Sequence, residues 1–182
     1  MNKFLKIISI ILSLFSLTSC NTSLPNKDLH GEELSDLTDD ELYETIYFQN
    51  LDIVYSYESE EIALKKMDSV RKTVYILSMY EYEISNGGLC QFFVNSTREL
   101  APYVSKCLAE IGATEHRALF DSFIFDNNIN VYELESFITD DSDDYSKQKK
   151  RYDFDSFDEE YDELPFLRES IVDYIRKNIN EF

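Results

Sequence analysis

The chain has no tryptophan and little that would force its backbone to turn: four glycines and three prolines in 182 residues. So few breakers argue against a many-turned β-sandwich and leave helices as the natural way to fill the length. Histidine occurs twice and cysteine three times, at spacings that match no metal or redox motif. Gly-x-Ser-x-Gly, a phosphate loop and a histidine cluster are all missing. We therefore expect no catalytic residues, no metal and no cofactor. Positive charge is scarce too. Seventeen Lys and Arg stand against 36 Asp and Glu, a net charge of -19. Repulsion on that scale makes DNA, RNA and anionic lipid headgroups poor direct partners and favours a basic protein. The length suits one domain with a real core.

What is present begins with an address. Lys3 and Lys6 precede an apolar run from Ile7 to Leu17, interrupted only by Ser9, Ser13 and Ser16. The run is short for a membrane span, and its small-residue end suits a cleaved leader. Leu17-Thr18-Ser19-Cys20 resembles the lipobox of bacterial lipoproteins. There the Cys thiol takes a diacylglycerol, the leader is cut just before it, and the new amine is acylated. The resemblance implies a signal peptide over residues 1–19 and lipidation at Cys20. A tether over 20–36 would then hold a helical domain, residues 37–182, at a bacterial envelope membrane through that lipid anchor. Cys90 and Cys107 could pair in such an oxidising compartment, although two free thiols buried as small apolar residues fit slightly better.

The remainder reads as one all-α domain of about seven helices. Thr38-Asp39-Asp40-Glu41 is a capping box that opens the first, with Leu42, Ile46 and Ile53 at helical spacing. Ser59 should begin a long second helix through Ala63, Met67, Val70, Val74, Leu77 and Ile84, with Lys65, Lys66, Arg71 and Lys72 on its other side pairing with surface carboxylates. It should stop at Asn86-Gly87-Gly88, the sharpest backbone break in the sequence. A short helix, Leu89 to Asn95, follows, with Gln91 and Asn95 on one face and Phe92 and Phe93 on the other. Gln91 and Asn95 are expected to satisfy backbone groups there. The free N–H groups at Gly88 and Leu89 could instead take an anion.

Pro102 suits the first turn of a further helix closed by Gly112, and Thr114 should cap the next, with His116 on its surface or near its cap. Asn130 to Glu133 reads as another capping box, leading to Leu134, Phe137 and Ile138. Asp126, Asn128 and Asn130 imitate the opening of a calcium loop, but Val131 and Phe137 occupy the positions of its turn glycine and bidentate glutamate. That reading fails.

From residue 140 the chain is carboxylate-rich: Asp140, Asp141, Asp143 and Asp144, then Asp153, Asp155, Asp158, Glu159, Glu160, Asp162 and Glu163. Phe154, Phe157, Tyr161 and Leu164 fall on one stripe of that last stretch, which predicts an amphipathic helix ended at Pro165. A last helix carries Leu167, Ile171, Tyr174 and Ile175 and should fray from Asn178. On such polar faces nothing should raise a carboxyl pKa for acid chemistry.

Glu83-Ile84-Ser85-Asn86-Gly87-Gly88, Gln91-Phe92-Phe93, Asn95-Ser96, Ala101-Pro102 and Glu110-Ile111-Gly112-Ala113 resemble the signature of a bacterial helical family named for a DNA-mimic protein's C-terminal domain. The ending, Phe157 to Tyr161 with Ile171, Tyr174, Ile175 and Asn178, is similar to that family's last two helices. The resemblance spans about residues 65–180. It implies an all-α fold and, for the named member, an acidic surface that occupies a DNA-binding regulator in place of DNA. It also marks Asn86, Gly87, Gly88, Gln91, Phe92, Phe93 and Asn95 as mainly structural. The expectation is a non-enzymatic, membrane-tethered protein that engages a basic partner. Alternatives are an immunity or inhibitor lipoprotein against a basic toxin, and a small enzyme or ligand receptor with a pocket at the Asn86 break lined by Gln91, Asn95 and Tyr80.

Overall fold

A computed structural model describes residues 28–139 and 142–182. The leader, Cys20 and the tether up to Lys27 lie outside the described residues, as do Asp140 and Asp141 and the side chains of Asp143 and Asp144. The fold is all-α, with no strand among the described residues. Its helices are α1 (Asp39–Tyr55), α2 (Glu60–Lys66), α3 (Ser69–Val94), α4 (Ala101–Ile111), α5 (Thr114–Asp126), α6 (Ser142–Lys149), α7 (Phe154–Asp162) and α8 (Leu167–Lys177).

Capping explains where these helices start, and where one expectation fails. Thr38 and Glu41 form the reciprocal box that opens α1. The single long helix expected from Ser59 is two. Met67 takes an extended backbone, and the Asp68 carboxylate accepts the Arg71 N–H at 2.8 Å to start α3. Apolar spacing runs through the junction, but a local carboxylate competes for the backbone N–H and resets the helix. Of the four cations assigned to that helix, Lys65 pairs with Glu61. Arg71 is drawn inward, donating to the Gln49 and Asn50 side chains and lying 4.9 Å from the Phe182 ring centroid.

α3 is the axis of the molecule. Every residue from Thr73 to Tyr80 is buried, as befits a helix covered all round, and it touches α1, α4, α6, α7 and α8. Beyond its midpoint an aromatic seam locks the second half together. Phe93 stacks on Phe137 at 4.9 Å, and Phe123 meets Phe154 at 5.2 Å and Phe157 at 5.4 Å. Each buried ring contributes about 2–3 kcal/mol, so this seam, with α7 as its outer wall, carries much of the core.

Five further expectations are corrected. The Asn130 side chain closes a turn on the Tyr132 N–H instead of capping a helix, and only a 3-10 turn, Glu135–Phe137, follows. Thr114 is the first helical residue of α5, with Ala113 at the cap. His116 is buried, not on the surface. The C-terminus does not fray at Asn178. A 3-10 turn follows, Phe182 is buried, and its carbonyl accepts from the Gly31 N–H. Residues 29–36, read as the end of the tether, pack with it. Leu34 is fully buried, and Gln49 donates to the Leu29 carbonyl.

Candidate functional site

The break inside α3 organises everything near it. Gly87 and Gly88 leave the helix, and Gly88 has φ +76, a left-handed conformation that side chains with a Cβ adopt at a cost. Space is just as restrictive. A Cβ on Gly88 would stand 2.0 Å from Asp158 Oδ2, and one on Gly87 would stand 2.2 Å from Gln91 Oε1. Two backbones and two polar side chains converge here at a distance that only glycine allows.

The helix restarts at Leu89, and its N–H donates to Asp158 Oδ1 at 2.9 Å. An anion does sit at this helix start, as its exposed N–H groups and dipole favour. It comes from the chain itself, across 69 residues. Burial pushes the Asp158 carboxyl above the usual range, while the Leu89 N–H and Lys149 pull it back. Asp158 is therefore not part of the outward acidic face to which its sequence neighbourhood assigned it.

On the inner side of the break lies a second carboxylate, Glu83, 5% exposed. Its Oε2 accepts from Gln91 Nε2 and from Asn95 Nδ2, both at 2.8 Å, and its Oε1 accepts from the Thr97 hydroxyl at 3.1 Å. Gln91 and Asn95 thus serve a carboxylate and not the backbone. Tyr80 is completely buried against Phe92, Phe120 and Tyr161. The pocket expected between Gln91, Asn95 and Tyr80 is not formed, because these side chains are spent on the knot and the core. Asn86 caps its own turn, donating to the Tyr82 carbonyl at 2.7 Å. Phe92 and Phe93 are fully buried.

Sequence reasoning gave Glu83 no role, although a signal was there. It follows Ile76, Met79 and Tyr80 on one helical stripe, an acid in an apolar series, and three side-chain donors come just after the break. Glu60 was missed as well. It accepts from the Tyr75 hydroxyl at 2.5 Å, and burial raises its carboxyl, so not every acid lies on a solvated face.

On the outer side, α7 turns Phe154 and Phe157 into the core and leaves Asp153, Asp155, Glu159, Glu160, Asp162 and Glu163 exposed. Lys149 pairs with Asp155 at 3.1 Å. Asp155, Glu159 and Asp162 stand at i, i+4 and i+7, one stripe of the helix. A cleft of about 350 Å³ separates this helix from the hinge, with Glu81, Asp158, Tyr161 and Asp162 in its walls. A wider groove of about 630 Å³ between α4 and α5 is mostly apolar, and Phe125 at its edge is 83% exposed.

Cys90 and Cys107 are both free and buried, each thiol pushed up to about 11 by burial, which suits packing and not nucleophilic attack. Among the described residues no group of His, Cys, Asp and Glu is arranged to hold a metal ion, and none of the helices is long and apolar enough to cross a membrane.

No curated protein matches the chain, and no solved structure does. A family model does, over residues 65–178, and that match runs from the C-terminal end of α2 through the glycine hinge to the end of α8. It includes Glu83, its three donors, Gly88 and Asp158. The chain belongs to the DMP19-like protein family.

Proposed function

We propose that this chain is a non-enzymatic binding protein whose α7 face engages a basic, DNA-binding protein in the place DNA would take. The carrying observation is the charge density of that helix. Nine residues at 1.5 Å each give roughly 13.5 Å of helix, and four of its acids, Asp155, Glu159, Glu160 and Asp162, are exposed. That is roughly one charge per 3.4 Å, the spacing along one strand of DNA. A basic surface meets a dense row of carboxylates here, at about half the linear charge density of duplex DNA, on a rigid support anchored by Phe154 and Phe157.

The leader and the Cys20 sequence support a location on the bacterial envelope, with the domain facing the periplasm or the exterior on a lipid anchor. A basic toxin such as a nuclease, met in that compartment, suits both charge and place, and the chain would then act as its inhibitor. The test is competition. A partner captured by the chain at low salt should be released by duplex DNA and by rising salt, with a steep dependence of log Kd on log salt. A partner that neither DNA nor salt displaces overturns the reading.

A further inference from the structure

We propose that His116 is an acid-sensitive latch: its neutral ring fastens α5 to the turn after α7, and protonation of the ring opens that fastening. The side chain is 4% exposed. Its ring meets that of Tyr161, on α7, edge-on at 5.2 Å. It also bonds the backbone of Pro165, in the turn that leads from α7 to α8. One turn further along α5, Phe120 packs on Tyr80 of α3 at 5.7 Å, so the same face of α5 is tied to the axis of the molecule. The state of the ring follows from its bond. Proline has no N–H, so Pro165 offers only its carbonyl and the imidazole must donate. Nε2 is buried without a partner. The donor is therefore Nδ1, and Nε2 carries a bare lone pair. A proton added there brings a full charge into the interior, at an atom that has nothing to bond.

The groups around the ring do little to welcome that charge. Glu115, on its own helix and exposed, favours the imidazolium, while exposed Arg117 is paired with Asp121. α7 presents Tyr161, and α3 presents Tyr80, both neutral hydroxyls, whereas Asp158 and Asp162 of α7 face the cleft. On α4, Lys106 and Glu110 are exposed and Glu110 accepts from Tyr174; on α8, Arg168 lies over the Tyr43 ring. Burial accordingly holds the imidazole below its ordinary value. A depressed folded-state value means that this group stabilises the fold above the ordinary range, about 6.5, and that the contribution is lost as pH falls towards the depressed value. Glu60 and Asp158 act with the opposite sign, so the latch is read as a difference between variants. Its opening loosens the acidic helix at its C-terminal end.

The test needs no partner. His116→Asn keeps a donor for the Pro165 carbonyl and removes the titration. Urea unfolding of the native protein and of this variant is followed at a series of pH values. Above about pH 7.5 the two should run parallel. Below the ordinary imidazole value the folding constant of the native protein should fall relative to the variant, by at most about tenfold per pH unit, the limit for one proton. The ring nitrogen resonances of His116 should show a proton on Nδ1 and a neutral ring that persists below about pH 6. Amide exchange at residues 161–167 should quicken in acid in the native protein and not in the variant. A ring that charges at or above its ordinary value, a neutral ring protonated on Nε2, or unfolding profiles that stay parallel into acid overturns the proposal. The ring titration uses the native sequence, so it decides even if His116→Asn does not fold. No partner enters these measurements, so their failure leaves the binding reading as it stands.

Discussion

Glu83 and Glu159 are the same side chain in opposite settings. Glu83 sits inside the hinge with three donors on its two oxygens, while Glu159 projects from α7 into water. Removing a carboxylate from water costs several kcal/mol unless hydrogen bonds replace the lost hydration, and the donors on Gln91, Asn95 and Thr97 are that replacement. Its removal would strand them. Glu159 needs no partner and supports no neighbour, so its charge is free to act at a distance. One acid shapes the molecule and the other is displayed to solvent. Asp158 stands between them. It belongs to the acidic helix by sequence and to the hinge by contact.

The contrast is most easily broken at its buried end. Glu83→Leu should destabilise the fold by about 3 kcal/mol, since it leaves buried donors without an acceptor, and Glu83→Gln should cost clearly less. Urea denaturation measures both. A loss under about 1 kcal/mol for the leucine variant would show that the knot does not hold the hinge. Gly88→Ala comes next, at about 2 kcal/mol, from the left-handed backbone and the approach of Asp158. In an Asp158→Gly background the same change should cost about 1 kcal/mol less, and strict additivity would mean that the carboxylate contact is unimportant.

Acidity separates the two kinds of acid more gently. Burial raises the folded-state carboxyls of Glu60 and Asp158 above their ordinary values. The folded chain therefore binds protons more tightly than the unfolded chain in the window between the ordinary and the raised values. Stability from these two groups should grow as pH falls through that window and be lost as pH rises through it. Glu60→Gln should flatten the gain seen by thermal unfolding at a series of pH values. A slope that the substitution leaves unchanged would assign the effect to general charge repulsion. Last on the stability scale, Glu159→Gln, Glu160→Gln and Glu163→Gln together should change unfolding by no more than about 0.5 kcal/mol. They should nevertheless weaken capture of a basic partner and reduce its salt dependence. A large stability loss would mean that these side chains are structural after all.

Much of this was legible in the chain. The Asn86-Gly87-Gly88 break, the start of α1 at Thr38, the Gly112 stop and the Phe154–Phe157 stripe of α7 are local signals, each carried by residues a few positions apart. The break between α2 and α3 was hidden because apolar spacing continues across Asp68 and a capping carboxylate leaves no period. The short turn at Glu135–Phe137 was misread for the reverse reason. Its boxlike start was visible, but the stack of Phe137 on Phe93 was not. Asp158 was placed with the outward acids because nothing near it in sequence reveals a partner 69 residues away.

By itself the sequence determined helicity, the hinge, the excess of acid and the absence of any recognised catalytic motif, since backbone propensity, φ preference and net charge are properties of residues and their near neighbours. Only the tertiary structure decided which carboxylates are buried and which are displayed. That choice depends on donors brought from far along the chain, and a carboxylate enters the interior only where such donors wait for it.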